Sequence, residues 1–259
     1  MAVAGVFVKS PRELERMRRA GRVAALALRE VGRAVRPGIT THTLDQVARE
    51  AIRSRGGIPS FLGYRGFPAS ACISVNDEIV HGIPGRRVLK EGDLVKVDLG
   101  ALVDGYHGDV AATFPVGSVP PRVLRLLQVT EEALFRGIEA VRPGARLGDV
   151  GYAVQSFVES FGYSVVRQFA GHGVGRSLHE DPQVPNFGKP GKGMVLRPGV
   201  VIAVEPMVNE GTWRAVVDGD GWTVRTADGR LSAHFEHTVA VTEDGYEILT
   251  LLDDGENPW

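Results

Sequence analysis

The sequence predicts an α+β fold made of two related halves, and three observations carry that expectation. First, Leu89–Asp98 lines up with Leu196–Glu205 at an offset of 107 residues, and an acid ends both copies. Second, Val35–Arg36–Pro37–Gly38 recurs as Val141–Arg142–Pro143–Gly144 at an offset of 106, each time between two apolar stripes of helical period. Third, Leu94–Val103 and Tyr106–Phe114 are β-patterned runs that flank Asp104–Gly105, a hairpin-forming dipeptide. A unit of helix, turn, helix and strands is therefore used twice. Both halves should aim acids at a shared centre.

The lead, Met1–Lys9, suits a strand or a disordered segment. Ser10–Pro11–Arg12–Glu13 starts a helix: a hydroxyl cap, proline at the first helical position and glutamate three residues after the cap. That helix runs to about Val35, with Leu14, Met17, Val23, Leu26, Leu28 and Val31 as its apolar stripe, and Pro37–Gly38 ends it. A second helix starts near Thr41 and closes at Gly56–Gly57. From Ile58 to Pro84, apolar and aromatic residues lie among glycines and prolines, a composition that fits a pocket wall or the cover of a core edge. The hairpin follows. Its turn sets Asp98 opposite Ala111, with Asp109 as diagonal neighbour on the same face. Two carboxylates so close repel unless a proton or cation lies between them. At the hairpin alone, two solvated acids on an exposed face fit equally well.

Pro120–Pro121 opens the second half. A helical pattern runs to Val141, and another ends near Phe161–Gly162. Ser164–Phe169 reads as a strand. Gly171–Glu180 reads as a glycine-rich loop carrying His172 and His179, whose glycines would leave the imidazole accessible and let backbone approach a ligand. It does not match a dinucleotide-binding G-x-G-x-x-G. Val200–Val208 is the second acid-bearing strand, Asp218–Gly221 a turn and Trp222–Thr226 a strand. Within Arg230–Val241 charged and apolar residues alternate, so Glu236 must face one side. The polar tail Asp253–Trp259 is expected to be loose.

The chain has 259 residues, 43% hydrophobic and 24% charged, which suits a globular protein with a sizeable core. No linker or low-complexity tract divides it, so one domain is expected over 1–259, with repeat units at roughly 10–118 and 119–250. Net charge is −1, so no field draws it to nucleic acid or an anionic membrane. Cys72 is the only cysteine, which rules out an intrachain disulfide and suits a reducing compartment. No apolar run approaches a membrane span, and a cytoplasmic location is expected.

Signatures of other chemistries are missing: there is no G-x-S-x-G, H-E-x-x-H, C-x-x-C or phosphate-binding loop. Asp98, Asp109, Glu205, Glu236 and His172 remain, four carboxylates and one imidazole. Hard oxygen donors with a single nitrogen suit Mn²⁺, Fe²⁺ or Co²⁺, although raw affinity favours Zn²⁺. Four negative charges balance two divalent ions. Such a pair lowers the pKa of bound water, polarises a carbonyl and stabilises an oxyanion.

Asp98 and Asp109 eleven positions apart, Gly171–His172–Gly173 with His179, Glu205 before proline, and Phe235–Glu236–His237–Thr238 resemble the type I methionine aminopeptidases over about Ser10 to Thr250. The resemblance implies the pita-bread fold: two related αβ halves around a central antiparallel sheet, with helices outside, forming a single catalytic domain. It implies that Asp98 chelates one metal, that His172 and Glu205 serve the other, and that Asp109 and Glu236 bridge them. His81 and His179 match the histidines that contact the scissile peptide, and Glu205 the family's candidate for proton transfer. A methionine pocket would be lined by Tyr64, Phe67, Cys72 and Trp222, with Phe61 and Leu178 at its edges. Phe67, Phe61, Leu178 and His234 depart from the residues most frequent at their positions, and only His234 breaks apolar character. The implied reaction releases the initiator methionine from nascent chains whose second residue is small. A monomer with at most transient ribosome contact is expected. The alternatives are a proline-specific pita-bread peptidase and a noncatalytic pita-bread binding protein.

Overall fold

Residues 5–259 are described by a computed structural model; the first four residues of the lead lie outside them. The first half contains helices α1 (Pro11–Ala34) and α2 (Thr41–Arg53). Its strands are β1 (Ile58–Pro59), β2 (Ala71–Val75), β3 (Glu78–Val80), β4 (Leu94–Val103) and β5 (Tyr106–Pro115). The second half contains α3 (Pro121–Glu139) and α4 (Leu147–Ser160), then β6 (Ser164–Val165), β7 (Gly171–Gly173), β8 (Glu180–Val184), β9 (Val201–Val204) and β10 (Met207–Asn209). It continues with β11 (Ala215–Val217), β12 (Val224–Thr226), β13 (Ser232–His234), β14 (Glu236–Val241) and β15 (Tyr246–Ile248).

The central antiparallel sheet has the order β1-β4-β5-β14-β9-β7-β8, with β2 also on β4 and β15 on β14. The acid-bearing pairs β4–β5 and β9–β14 meet at the β5/β14 seam, so each half supplies two central strands. Helix α1 packs across β4 and β5. The helix comes so close at Gly21 that a Cβ on Gly108 of β5 would sit 2.4 Å from the Gly21 nitrogen. Ser10 and Glu13 cap the helix reciprocally, as the sequence implied. Leu28, Leu44, Leu94, Leu99, Leu126 and Leu134 are fully buried in one core, each side chain contributing about 1.5–3 kcal/mol. No described helix is long and apolar enough to cross a membrane.

The hairpin forms as expected. Asp104 and Gly105 take φ of 50° and 79°, and Asp98 faces Ala111. Several expectations are corrected. Val200–Val208 is two strands, not one: Pro206 has no N–H, so the ladder breaks after β9, and β10 joins a separate sheet with β13 and β6. The alternating run Arg230–Val241 carries β13 and β14, with Phe235 between them. Ser164–Phe169 keeps strand pairing only at Ser164–Val165, and Trp222–Thr226 only from Val224. Gly5–Lys9 form no strand; Lys9 instead runs inward to a buried ion pair with Glu180 at 2.8 Å.

The glycine-rich run is also different from its expected form. His172 lies in a short strand, and its flanking glycines serve backbone packing, since Cβ atoms on Gly171 and Gly173 would meet carbonyl oxygens of Ala203 and Asp181 at 2.2 and 2.3 Å. Nor is the tail loose. The Trp259 indole donates to Glu131 at 2.7 Å and packs edge-on against Phe235 and at a tilt against His237.

Candidate active site

Alternation along β4 and β5 turns Asp98 and Asp109 to one face. The break before Pro206 leaves Glu205 just past the end of β9, which pairs with β14, and β14 begins at Glu236. Ligand atoms of Asp109, His172 and Glu236 all lie within 4.8 Å of one another. His172 Nε2 stands 3.6 Å from Oδ2 of Asp109 and 3.6 Å from Oε1 of Glu205. The His172 Nδ1 faces the Gly173 carbonyl at 2.9 Å. A carbonyl only accepts, so Nδ1 carries the proton and Nε2 turns a bare lone pair toward the acids.

Burial pushes the carboxyls of Asp98, Asp109, Glu205 and Glu236 above their ordinary range, and each of Asp98, Glu205 and Glu236 is raised further by its acidic neighbours. Burial holds His172 neutral, down to about 4. Oδ1 of Asp98, Oδ1 of Asp109 and Oε1 of Glu236 are buried without hydrogen-bond partners. Such orphaned oxygens are rare in folded proteins because each forfeits its hydration. A cluster of acids with unpaired oxygens and one bare imidazole nitrogen fits divalent cations, which replace that hydration and cancel the repulsion.

An open cavity of about 870 Å³ reaches this cluster. All five proposed ligands line it, as do His81, His179 and the six residues expected around methionine. Phe61, Phe67, Cys72 and Leu178 form a buried apolar group, with Tyr64 and Trp222 packed against it. Part of the Ile58–Pro84 stretch thus walls the cavity, while Ile73 and Val75 belong to the main core. Phe67 meets Trp222 edge to face at 5.1 Å, and Cys72 pairs across β2–β4 with Asp98. Burial pushes the Cys72 thiol up, so it behaves as a small apolar group.

The two remaining histidines stand at the cavity. His179 stacks on Tyr64 with centroids 5.1 Å apart, its Nδ1 2.9 Å from the tyrosine hydroxyl, and its ring lies 4.0 Å from that of His172. His81 has a φ of 60°, a conformation uncommon for side chains other than glycine, and packs edge-on against Phe169. Sequence reasoning did not place His234 in the cluster. It is buried against Glu205 and Glu236, and burial pulls its pKa down to about 3. The available signal was its position two residues before Glu236, hence on the same face of an extended segment.

The profile of metallopeptidase family M24 matches residues 15–243. The chain is 53% identical to methionine aminopeptidase 1 of Bacillus subtilis, over 95% of this chain and 99% of that protein. The crystal structure of methionine aminopeptidase from Rickettsia prowazekii superposes with a TM-score of 0.94 at 45% identity, covering 95% of this chain and all of that one. Prolidase from Pyrococcus furiosus superposes at 0.76 with 23% identity, covering 96% of this chain and 66% of that one, a likeness of fold.

Proposed function

We infer the function from one premise: the chain belongs to metallopeptidase family M24, and within it is a methionine aminopeptidase of pita-bread fold. It is a metal-dependent hydrolase that removes the initiator methionine from nascent polypeptides when the second residue is small. The observation that carries the reading is the convergence of acids from both halves, with three orphaned oxygens, in a cavity that an apolar side-chain group also lines. The same arrangement supports treating the whole chain as one catalytic unit.

Asp98 would hold one divalent ion, His172 and Glu205 the other, and Asp109 with Glu236 would be shared. When bound, the ions supply Lewis-acid polarisation of the first peptide carbonyl and acidify water. The donor set suits Mn²⁺, Fe²⁺ or Co²⁺, with Zn²⁺ the competitor by affinity. The protein's own groups do the rest. Phe61, Tyr64, Phe67, Cys72, Leu178 and Trp222 take the methionine side chain, so the first peptide bond lies beside the acids. His81 and His179 are neutral donors for the peptide oxygen as it gains charge. Glu205, its carboxyl raised by burial, is suited to take a proton from the attacking water and give it to the leaving nitrogen. Substrates are free N-termini of polypeptides, and we assign the chain to the cytoplasm as a monomer with at most transient ribosome contact.

A proline-specific activity is not favoured, because the likeness to prolidase is one of fold, and a noncatalytic role is not favoured because no ligand is missing. Release of methionine from Met-Ala-Ser by metal-loaded protein, with an Xaa-Pro peptide left intact, is the expected result. Cleavage of the Xaa-Pro peptide alone would overturn the reading, and no cleavage with any metal would favour a binding module.

A further inference from the structure

We propose that His234 is a further metal ligand, supplying a second imidazole nitrogen to a cation held by Glu205 and Glu236. The inference rests on the metal centre proposed above. His234 lies at the end of β13, where its backbone N–H donates to the Thr113 hydroxyl and its carbonyl accepts from the same hydroxyl, at 2.8 and 2.7 Å. These two hydrogen bonds to Thr113 of β5 fix the residue's position. Phe235 then intervenes, and Glu236 emerges on the same side.

Three observations point to a ligand. His234 is 1% exposed, yet both ring nitrogens lack a hydrogen-bond partner. A buried polar atom without a partner forfeits its hydration with nothing in return, and His234 has two such atoms on one ring. Its Nε2 stands 3.4 Å from Oε2 of Glu205, while Oε1 of that carboxylate faces His172. Finally, Glu205, His234 and Glu236 form a second group with ligand atoms all within 4.8 Å of one another, sharing Glu236 with the group of Asp109 and His172. Two nitrogen donors therefore flank Glu205, one from each of two neighbouring triads. A second imidazole moves that donor set from hard oxygen toward borderline nitrogen, favouring Fe²⁺, Co²⁺ or Zn²⁺ over Mn²⁺.

The test uses the full chain, ¹⁵N-labelled at histidine, stripped of metal and reloaded with two equivalents of ¹¹³Cd²⁺. Imidazole nitrogens bonded to cadmium are read from their coupling and assigned through bonds to their own residues. The expected result is coupling at both His172 and His234 in the unmodified protein. In His234→Gln the His172 coupling persists, and the second ion binds more weakly, on the order of 10–100-fold. Coupling at His172 without His234 overturns this inference and leaves the proposed centre standing; failure to bind cadmium at all removes both. The unmodified protein decides even if His234→Gln does not fold.

Discussion

Glu236 and His237 are neighbours on β14, both buried, and they have opposite fates. The His237 ring is fully partnered: Nδ1 lies 2.7 Å from the Thr250 hydroxyl, Nε2 3.1 Å from Asn257 Oδ1, and Trp259 packs at a tilt at 4.8 Å. Glu236 has an oxygen with no partner and acids on its own side of the sheet. Lys96 repeats the first pattern, its buried ammonium donating to the carbonyls of Asn76 and Ser232 at 2.7 and 2.9 Å. His237 and Lys96, satisfied by the chain, hold the fold, whereas the unpaired oxygen of Glu236 lies among other acids where a cation would satisfy it.

The largest effect is expected at the unsatisfied acids. Glu205→Ala should lower turnover of Met-Ala-Ser by more than about 10³-fold while circular dichroism stays native. Retained turnover would remove Glu205 from proton transfer.

Next in size is the response of metal-free protein to pH. Asp109 is pushed up to about 7 by burial, above the unfolded carboxylate value near 4. Between these values the folded chain keeps a proton that the unfolded chain has released, so stability falls as pH rises, by on the order of 3 kcal/mol from pH 5 to pH 8 for this acid. Divalent ions should flatten or reverse the trend. Urea titrations at pH 5 and 8, with chelator and with metal, measure it; a metal-free protein more stable at pH 8 would contradict the assignment.

On the satisfied side, His237→Ala strands Thr250 and Asn257 and opens a void beside Trp259. Its expected cost is about 2–3 kcal/mol in unfolding free energy, with unchanged metal stoichiometry. Loss of metal without loss of stability would blur the distinction.

Much of the fold was legible because its signals are local. Capping at Ser10–Glu13, the Asp104–Gly105 turn and the register of Asp98 against Ala111 follow from backbone preferences within a few residues. The glycines beside His172 were misread because their reason is nonlocal: carbonyls of Ala203 and Asp181 occupy the space a Cβ needs. The tail was misread because polar composition hides what Asn257 and Trp259 touch.

By itself, the sequence determined the two-fold repeat, the helices and hairpin, and the identities of the acids, since each depends on period, spacing and turn chemistry. Only the tertiary structure decided that strands from the two halves meet at the β5/β14 seam, that the chain leaves the sheet at Glu205–Pro206, and that His234 lies against Glu205. Those are contacts between segments over a hundred residues apart or between packed strands. Which buried polar atoms find partners is a property of the assembled whole, and no local pattern encodes it.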